Sequence, residues 1–509
     1  MNFKKIIGIT GFSTLATYYA YRNDLFFFKN EPKPIYITRK EISEHYNFNS
    51  RIWASYKDSV YDITDFIKVH PGGEEKIMLV AGGALEPFWE MYSFHKKEEI
   101  VSSLEKYKVG KLDPKDIINP KDIPNFDFLK KEDLWRSPYL KVLQTFPYCA
   151  EADDARLIRN FYTPSEDFFV RNHFSVPTLE IEDYFIEIKR QDQEETQRFF
   201  LNSIEDIFGT KNVVTMMTCS GNRREHFNSI KKTKGLTWGT GAMSNGNWSG
   251  VAVSDLLRSI GITEENCKGK HLIVTGNDKD FQGVHYSISI PLEHALEPSN
   301  MVLLATKYNG EEIPKEHGYP MRFVVPGYVG VRSVKWVKSL EISDNESKSS
   351  FQQKDYKIVY GVDWENFDKV DLSQYKPIME LDTNSAILYP KNGQNIVTED
   401  GKLEIKGYAH GKWGIKVNRV EITFDDGKNW KSVDNVDFKN VSTDASKYFG
   451  WTLWKHKIEL KEFNTQEVCF GVRVVDEEGN SQIENAKQLW NVRGLMNNSI
   501  HKVCVNSRI

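Results

Sequence analysis

The pattern of apolar and polar positions changes three times along the 509 residues. Thr38 and Glu41 have the spacing of a capping box, which predicts the start of a short helix. Residues 60–63 predict a strand, and from Phe66 to about residue 112 short helical patterns alternate with turns. The stretch 34–112 is therefore predicted to be a small α+β domain.

The next stretch, 113–133, differs in composition from the predicted domain before it. It contains Pro114, Pro120 and Pro124 among lysines and aspartates, with little apolar periodicity. This composition is typical of a semi-extended linker, so we predict that one domain ends before it and another begins after it.

Two further domains are predicted after the linker. Residues 134–379 show many short strand patterns separated by Gly, Asn and Ser loops, with a helix pattern at 254–260, which indicates a large α+β domain. From residue 380 to 509, short alternating runs such as 403–408 and 420–424 lead into Gly-containing turns. Such runs predict an antiparallel β-sandwich of immunoglobulin-like type.

The N-terminal residues 1–33 are predicted to lie outside these domains. Lys4 and Lys5 precede an uncharged stretch at 6–21. This stretch is shorter than the roughly 20 residues that a spanning helix needs, so it favours a targeting or anchor segment. The alternative is a helix that packs on the first domain, and any membrane contact is expected only through this segment.

Composition excludes several classes of protein. With 40% hydrophobic and 27% charged residues the chain has the composition of a globular protein. Lys plus Arg is 67 and Asp plus Glu is 71, so no broad basic surface for nucleic acid is expected. The cysteines show no CxxC spacing, and we predict neither a disulfide framework nor a zinc ribbon. Four of them are expected to be ordinary core or surface thiols: Cys149, Cys267, Cys469 and Cys504.

A first chemical motif is His70-Pro71-Gly72-Gly73, followed 25 residues later by His95. A b-type haem takes two neutral imidazoles across an apolar slot, and the Gly residues allow a tight backbone bend beside the first one. A lone histidine is more often a satisfied core residue. The motif and spacing together resemble the cytochrome b5 family, which implies that His70 and His95 are the ligands of the haem iron. Membrane-associated haem-binding proteins of the progesterone-receptor-like type share the fold but lack this histidine pair, so the presence of both histidines disfavours that alternative.

A second motif surrounds Cys219. Residues 213–217 predict a strand that ends at Thr218, Cys219 and then Arg223 and Arg224. A thiolate suits a soft or high-valent metal, and neighbouring guanidinium groups lower a thiol pKa. A cysteine beside two arginines is by itself more often an inert core residue, but the segments 168–173, 317–322 and 326–336 accompany it.

Taken together, the chain resembles the sulfite oxidase family. That family has a cytochrome b5 domain, a molybdenum-cofactor domain with a Cys-x-Gly-Asn-Arg-Arg loop, and an immunoglobulin-like dimerisation domain. All three patterns occur here in that order, over about 475 of the 509 residues. Ser220, Tyr328 and Val331 depart from the family pattern, and we expect them to alter loop packing rather than ligand chemistry.

The resemblance implies specific residue roles. Cys219 would be the protein thiolate on molybdenum, and Arg322 and Lys335 suit the phosphate of molybdopterin. The implied cofactor-binding residues are Phe169, Val170, Arg171, Asn172, His173, Asp278, His317, Arg322, Ser333, Val334 and Lys335. The implied substrate pocket contains Arg171, Arg224 and Arg493, with Trp238, Lys234 and Tyr356 nearby. Three guanidinium groups are well suited to a small oxyanion.

The implied activity is the two-electron oxidation of sulfite to sulfate at molybdenum, with water as the oxygen source. Electrons would pass through the haem to cytochrome c, with oxygen as another possible acceptor. Nitrate reductase is the alternative within the fold, but there the haem domain follows the molybdenum domain. A haem electron carrier with an inactive molybdenum domain is a non-enzyme alternative, which the presence of Cys219, Arg322 and Lys335 disfavours.

The family also implies an assembly and a location. A homodimer through the last domain is expected. The mitochondrial intermembrane space is the expected compartment because animal members lie there, and anchoring to a membrane by the N-terminal segment is the alternative.

Overall fold

The computed structural model describes residues 35–117, 134–191, 194–280, 283–398, 400–437, 444–463 and 466–507. The predicted segment 1–33 and most of the predicted linker lie outside these ranges. The chain divides into two compact units, 1–130 and 131–509. Within the described ranges no helix combines the length and the apolar character needed to cross a membrane.

The first unit is a small mixed α and β structure. Its strands are β1 (Tyr36–Ile37), β2 (Tyr46–Asn47), β3 (Arg51–Tyr56), β4 (Ser59–Asp62), β5 (Gly83–Ala84) and β6 (Lys108–Leu112). Its helices are α1 (Arg39–Glu44), α2 (Glu74–Ile77), α3 (Glu86–Met91) and α4 (Glu98–Ser103), with short 3₁₀ turns between them. The strands form one sheet in the order β1-β6-β4-β3-β2, and β5 pairs with β3. The predicted helix start at Thr38 is confirmed, because Thr38 Oγ1 caps α1 by accepting a hydrogen bond from the Glu41 N–H at 3.2 Å.

The larger unit begins with an α+β region. Its strands are β7 (Lys141–Thr145), β8 (Tyr148–Glu151), β9 (Val170–Arg171), β10 (Phe185–Arg190), β11 (Gln197–Phe200), β12 (Lys211–Thr218), β13 (Met243–Ala252), β14 (His271–Lys279), β15 (His285–Pro291), β16 (Leu303–Tyr308), β17 (Glu311–Glu312), β18 (Arg322–Val324) and β19 (Val337–Ser343). Its helices are α5 (Asp154–Leu157), α6 (Leu201–Phe208), α7 (Arg224–Ile230), α8 (Val253–Ser259), α9 (Leu292–Leu296) and α10 (Trp364–Phe367).

Three sheets organise this region. They run β7-β8-β9, β11-β10-β19-β14-β15 and β12-β13-β16-β17, with β18 paired to β16. A large apolar core that includes Leu256, Val274 and Leu304 fills the space between these elements. The strand predicted at 213–217 is β12, which delivers Cys219 at its end.

The last part of the chain is rich in sheet. Its strands are β20 (Asn384–Tyr389), β21 (Asn395–Ile396), β22 (Lys402–His410), β23 (Val417–Thr423), β24 (Lys431–Ser432), β25 (Asn435–Asp437), β26 (Thr452–Glu459), β27 (Glu467–Asp476) and β28 (His501–Ser507), and its helix is α11 (Ala486–Leu489). The sheets β20-β22-β26-β25 and β21-β28-β27-β23-β24 share one apolar core, to which Ile405, Val420 and Val472 contribute. Alternating residues of β22 and β26 are buried, as the pattern at 403–408 predicted for β22.

One prediction about the cysteines is wrong. Cys469 and Cys504 form a disulfide rather than remaining as ordinary thiols. They are 35 residues apart in sequence, but the antiparallel register of β27 and β28 places them directly opposite each other. The pairing depends on that register, and sequence spacing carries no signal for it. Cys149, Cys219 and Cys267 are free and buried.

Candidate metal centres

The first candidate centre is the histidine pair of the small unit. The imidazole rings of His70 and His95 lie 6.1 Å apart between centroids, with their planes inclined by 13°. His70 follows the 3₁₀ turn Ile67–Val69, and His95 lies in the turn Ser93–Lys96. The structure therefore brings the two predicted haem ligands face to face.

Backbone carbonyls fix the tautomer of both rings. His70 Nδ1 donates to Gly73 O at 3.1 Å, and His95 Nδ1 donates to Tyr92 O at 3.0 Å. Each imidazole therefore carries its proton on Nδ1 and presents an unprotonated Nε2, the state in which an imidazole ligates iron. Burial lowers the pKa of both histidines, so both are neutral at pH 7.

The surroundings of the pair fit a flat apolar group. Phe66 contacts His70 edge to face at 5.7 Å, and Trp89 lies parallel to His95 at 5.6 Å. A Cβ on Gly72 would lie 2.6 Å from Cε1 of His70, so the motif requires glycine there. Two neutral imidazoles with apolar neighbours match what a bis-histidine haem requires.

The second candidate centre is a pocket that Cys219 lines. The Cys219 N–H donates to Ala242 O at 2.9 Å, which fixes the loop after β12, and the Gly221 N–H donates to Cys219 Sγ at 3.4 Å. Burial raises the pKa of the Cys219 thiol, and the guanidinium groups of Arg224 and Arg171 oppose that rise. A metal ion would favour the thiolate further.

Basic side chains outnumber acidic ones on the walls of this pocket. The lining residues are Phe168, Phe169, Arg171, His173, Met217, Cys219, Ser220, Asp278, Tyr286, His317, Arg322, Gly330, Val331, Ser333, Lys335 and Tyr356. Arg171, Arg322 and Lys335 face a single carboxylate among these residues, that of Asp278. Burial lowers the pKa of Arg322 to about 9, so this guanidinium stays charged at neutral pH. The excess of positive charge suits an anionic ligand.

Buried polar atoms at the pocket that lack a hydrogen-bond partner indicate which donors and acceptors such a ligand would need. Asn172 Nδ2, Asp278 Oδ1 and Arg322 Nε are buried and lack a hydrogen-bond partner among the described residues. Buried polar groups of this kind are costly unless a bound group satisfies them. A phosphate would accept from Arg322 and a pterin N–H would donate to Asp278, so these residues fit a pterin cofactor with a phosphate.

Local contacts hold the predicted phosphate-binding cations in place. Arg322 Nη1 donates to His317 O at 2.9 Å, and Lys335 Nζ donates to Glu316 O at 3.0 Å and also to Asn172 Oδ1. Burial together with the nearby cations lowers the pKa of His317 well below its usual value, so this imidazole is neutral.

The predicted substrate arginines 224 and 493 meet next to the pocket. Arg224 Nε donates to Arg493 O at 3.0 Å and to Gly494 O at 3.1 Å, and Nη1 donates to Leu236 O at 2.8 Å. Arg493 Nη1 in turn donates to Asp355 Oδ1 at 3.2 Å. The last predicted domain therefore supplies groups that hold a side chain of the Cys219 loop.

Three glycines enclose the Arg224 guanidinium. A Cβ added at Gly221 or Gly235 would lie 2.7 Å or 2.8 Å from its Nη atoms, and one at Gly494 would lie 2.7 Å from its Cγ. Larger residues at these positions would displace Arg224, so the position of this guanidinium depends on the absence of three side chains.

Four further predicted site residues, besides Asn172, Arg224 and Arg493, lie outside the pocket lining. Val170 and Val334 are buried in the main core, and Trp238 is 1% exposed with its ring 6.5 Å from that of Phe169. Lys234 Nζ lies 4.4 Å from the Trp364 ring and 3.9 Å from an Asp368 carboxylate oxygen.

Comparison with known proteins agrees with this geometry. A cytochrome b5-like haem/steroid-binding domain model matches residues 38–113, an oxidoreductase molybdopterin-binding domain model matches 173–351, and a Mo-co oxidoreductase dimerisation domain model matches 375–508. The chain is 36% identical over 471 residues to mitochondrial sulfite oxidase of Drosophila melanogaster, which covers 92% of this chain and 80% of the relative. It is also 36% identical over 474 residues to mitochondrial sulfite oxidase of Homo sapiens, covering 92% and 84% of the two chains.

The chain belongs to the sulfite oxidase family.

A solved structure supports the same architecture. The sulfane dehydrogenase SoxCD of Paracoccus pantotrophus superposes with a TM-score of 0.56 at 24% identity, covering 74% of this chain and 90% of that one. At this identity the likeness concerns the fold alone. The predicted fold class is therefore confirmed, as are the molybdopterin-binding and cytochrome b5-like haem-binding domains of a sulfite oxidase family member.

Sequence reasoning missed several residues that line the pocket. Phe168 directly precedes the predicted residue Phe169, and Met217 lies two positions before Cys219. Arg322 Nη2 donates to the Met217 sulfur at 2.6 Å. Tyr286 comes from β15, where no motif marks it. Of the residues that depart from the family pattern, Ser220 and Val331 line the pocket, whereas Tyr328 hydrogen-bonds His294 Nδ1 at 3.0 Å.

Proposed function

We propose that the chain oxidises sulfite to sulfate, takes the added oxygen from water, and passes the electrons through a b-type haem at His70 and His95 to cytochrome c. The observation that carries this proposal is the cation-lined pocket at Cys219 in a family member that also has a facing histidine pair. When bound, the molybdenum centre supplies oxygen transfer and two-electron uptake, and the haem supplies single-electron transfer.

The chain's own residues would divide the work of binding. Arg322 and Lys335, with Asp278, would hold the cofactor, and Cys219 would supply the thiolate. Arg171, assisted by Arg224 and Arg493, would hold the sulfite oxyanion, because guanidinium forks match oxyanion geometry. Burial opposes charge throughout this site, so an anion that neutralises these cations binds more strongly there than it would in water.

The Tyr356 hydroxyl would orient the bound anion. Tyr356 lines the pocket, and its hydroxyl lies 2.6 Å from His173 Nε2, which limits its rotation. Trp238 and Lys234 lie outside the pocket lining and would act on it indirectly. Trp238 would support Phe169 by packing against its ring, and Lys234 would add positive charge near Trp364.

Nitrate reduction is the alternative within the fold. The cytochrome b5-like match at 38–113 precedes the molybdopterin match at 173–351, and the family resemblance assigns the opposite order to nitrate reductase. A haem carrier with an inactive molybdenum domain is disfavoured by the buried atoms of Asp278 and Arg322 that lack a partner among the described residues, because both residues line the pocket and a bound cofactor would satisfy these atoms.

Assembly and location follow from the same relatives. The match to the dimerisation domain at 375–508 supports a homodimer. We propose a mitochondrial location from the names of the Drosophila and human relatives, and the intermembrane space as the compartment. The Cys469–Cys504 disulfide supports an oxidising compartment, because disulfides are rare where thiols are kept reduced. Anchoring to a membrane through residues 1–33 is the alternative.

The test combines metal analysis with the visible spectrum of the purified full chain. About one molybdenum and one iron per chain are expected, with haem bands that become reduced when sulfite alone is added. Cys219→Ser should abolish reduction by sulfite but not by dithionite, and Cys267→Ser, a change at another buried thiol, should preserve both. Both metals without reduction by sulfite would overturn the proposal, and nitrate would then be tried as substrate.

A further inference from the structure

Cys149 and Arg171 lie directly opposite each other on neighbouring strands. The antiparallel register of β8 and β9 pairs the two residues, so their side chains leave the same face of the sheet. Cys149 is completely buried, whereas Arg171 lines the pocket at Cys219. A side chain of the pocket wall is thus in contact with a thiol behind it.

The thiol makes two hydrogen bonds. Cys149 Sγ donates to Asn172 O at 3.5 Å, and it accepts from Arg171 Nη1 at 3.6 Å. Asn172 O accepts from the same Nη1. The single S–H proton is directed to the Asn172 carbonyl, so the sulfur lone pairs can accept from the Arg171 guanidinium. The thiol, the carbonyl and the guanidinium are therefore all hydrogen-bonded to one another.

These hydrogen bonds fix one nitrogen of the Arg171 guanidinium, Nη1. Among the described residues, Nη1 is the donor of both hydrogen bonds that the Arg171 guanidinium makes. The guanidinium is planar, so holding one nitrogen orients the rest of the fork. An arginine with many rotatable bonds would otherwise lose more conformational freedom when it binds an anion.

We propose that Cys149 is a positioning residue for the anion site: it holds Arg171 Nη1 so that the rest of the guanidinium is ready to bind the sulfite or sulfate oxyanion. This inference rests on the proposed function. Cys149 does not touch the anion and acts only through Arg171.

A matched control is available in the same unit. Cys267 is also a free buried cysteine, 3% exposed, and its thiol likewise donates to a backbone carbonyl, Glu264 O, at 3.6 Å. It packs in the main core and does not line the pocket. Truncating Cys267 therefore has a similar structural cost without a contact to Arg171.

The experiment compares Cys149→Ala, Cys149→Ser and Cys267→Ala in the full chain, at equal molybdenum and haem content. The readouts are kcat and KM for sulfite and, separately, the Kd of sulfate measured by calorimetry on the oxidised protein. Cys149→Ala should raise both KM and Kd by about three- to tenfold, the effect of one hydrogen bond, with kcat changed less than about twofold. Cys149→Ser should recover most of the loss, because a hydroxyl also donates to Asn172 O and accepts from Arg171. Cys267→Ala should leave all three constants unchanged.

Several outcomes would overturn the inference. An unchanged sulfate Kd in Cys149→Ala would do so, as would a fall in kcat at constant KM, which indicates a general structural defect. If the alanine variant does not fold, Cys149→Val, which fills the space without a hydrogen bond, takes its place in the comparison with Cys149→Ser. Wild-type protein that neither oxidises sulfite nor binds sulfate would overturn the proposed function as well, so the two failures are distinguishable.

Discussion

His173 Nε2 lies 2.6 Å from the hydroxyl oxygen of Tyr356, and both side chains line the pocket at Cys219. Burial, with Arg171 and Lys335 nearby, lowers the pKa of His173 well below its usual value, so the ring is neutral; with its proton on Nε2 it would donate to the Tyr356 oxygen and leave the tyrosine proton for an anion. Burial raises the pKa of Tyr356 to about 12, so its hydroxyl keeps that proton. The pair therefore acts as a fixed, uncharged hydrogen-bonding group among cations.

Tyr356→Phe tests the contribution of this hydroxyl. The change removes one hydrogen bond and retains the ring packing, so kcat/KM for sulfite should fall by about tenfold. Because neither partner titrates near neutrality, the ratio of wild-type to variant kcat/KM should stay constant from pH 6 to 9. Steady-state kinetics with an artificial electron acceptor provide the measurement.

Tyr360→Phe is the matched control for that prediction. Tyr360 lies four residues further along the chain and is 53% exposed, so its hydroxyl should not affect turnover. A loss in Tyr356→Phe that disappears above pH 8 would mean that the hydroxyl ionises, contrary to the burial argument.

Local sequence signals predicted several short elements, two of which carry candidate metal ligands. The cap at Thr38, strand β12 before Cys219 and the turn at His70 each depend on a few neighbouring residues, so their pattern is visible in the chain. Motif resemblance supplied the pocket residues near these elements, because the family's glycine-rich loops have recognisable spacing.

Features that depend on strand register were not predictable in this way. Tyr286 reaches the pocket because β15 pairs with β14, and Cys469 meets Cys504 because β27 pairs with β28. Cys149 contacts Arg171 for the same reason. Register is a property of the folded sheet, and the identity of one residue does not indicate which residue lies opposite it on the neighbouring strand.

Gly235→Ala should disturb the substrate site through Arg224. The new Cβ would lie 2.8 Å from Arg224 Nη1 and would push the guanidinium away from its carbonyl partners. We expect KM for sulfite to rise by about tenfold or more, since one charged hydrogen-bonding group is misplaced, with a smaller effect on kcat.

Gly269→Ala separates this contact from backbone strain. Gly235 and Gly269 both have positive φ, at 112° and 69°, so both alanine variants should lose thermal stability. A Cβ at Gly269 would meet nothing within 4 Å, and KM should therefore stay at the wild-type value in that variant. Equal KM values for the two variants would contradict the proposed dependence on Arg224.

His95→Ala should separate the two centres. The remaining imidazole of His70 cannot supply two axial ligands, so the low-spin haem spectrum should be lost. Sulfite oxidation with an artificial acceptor should persist, while reduction of cytochrome c should fall to background. His45→Ala, which removes a ring stacked on Trp53 at 3.6 Å in the same unit, should preserve the spectrum. Retention of the spectrum in His95→Ala would mean that the second ligand is another residue.

We expect Asp154 to make the larger unit less stable at neutral pH than in mild acid. Burial raises the pKa of its carboxyl to about 6, although Thr240 Oγ1 donates to it at 2.6 Å and Lys391 lies nearby. Its reference pKa is 3.8, so between about pH 4 and 6 the folded chain binds more protons than the unfolded chain. Stability from this group is therefore present below pH 4 and is lost as pH rises through 6, at a cost of up to about 3 kcal/mol.

Asp154→Asn removes the titration and keeps an acceptor for Thr240. The variant should melt several degrees above wild type at pH 7, and this gain should shrink to nothing by pH 4, as measured by calorimetry across that range. Asp153→Asn is the control, because Asp153 caps α5 by accepting from the Ala155 and Arg156 N–H groups and asparagine caps equally well. A gain of the same size at pH 4 and pH 7 would show that the effect of the Asp154 change does not come from its charge.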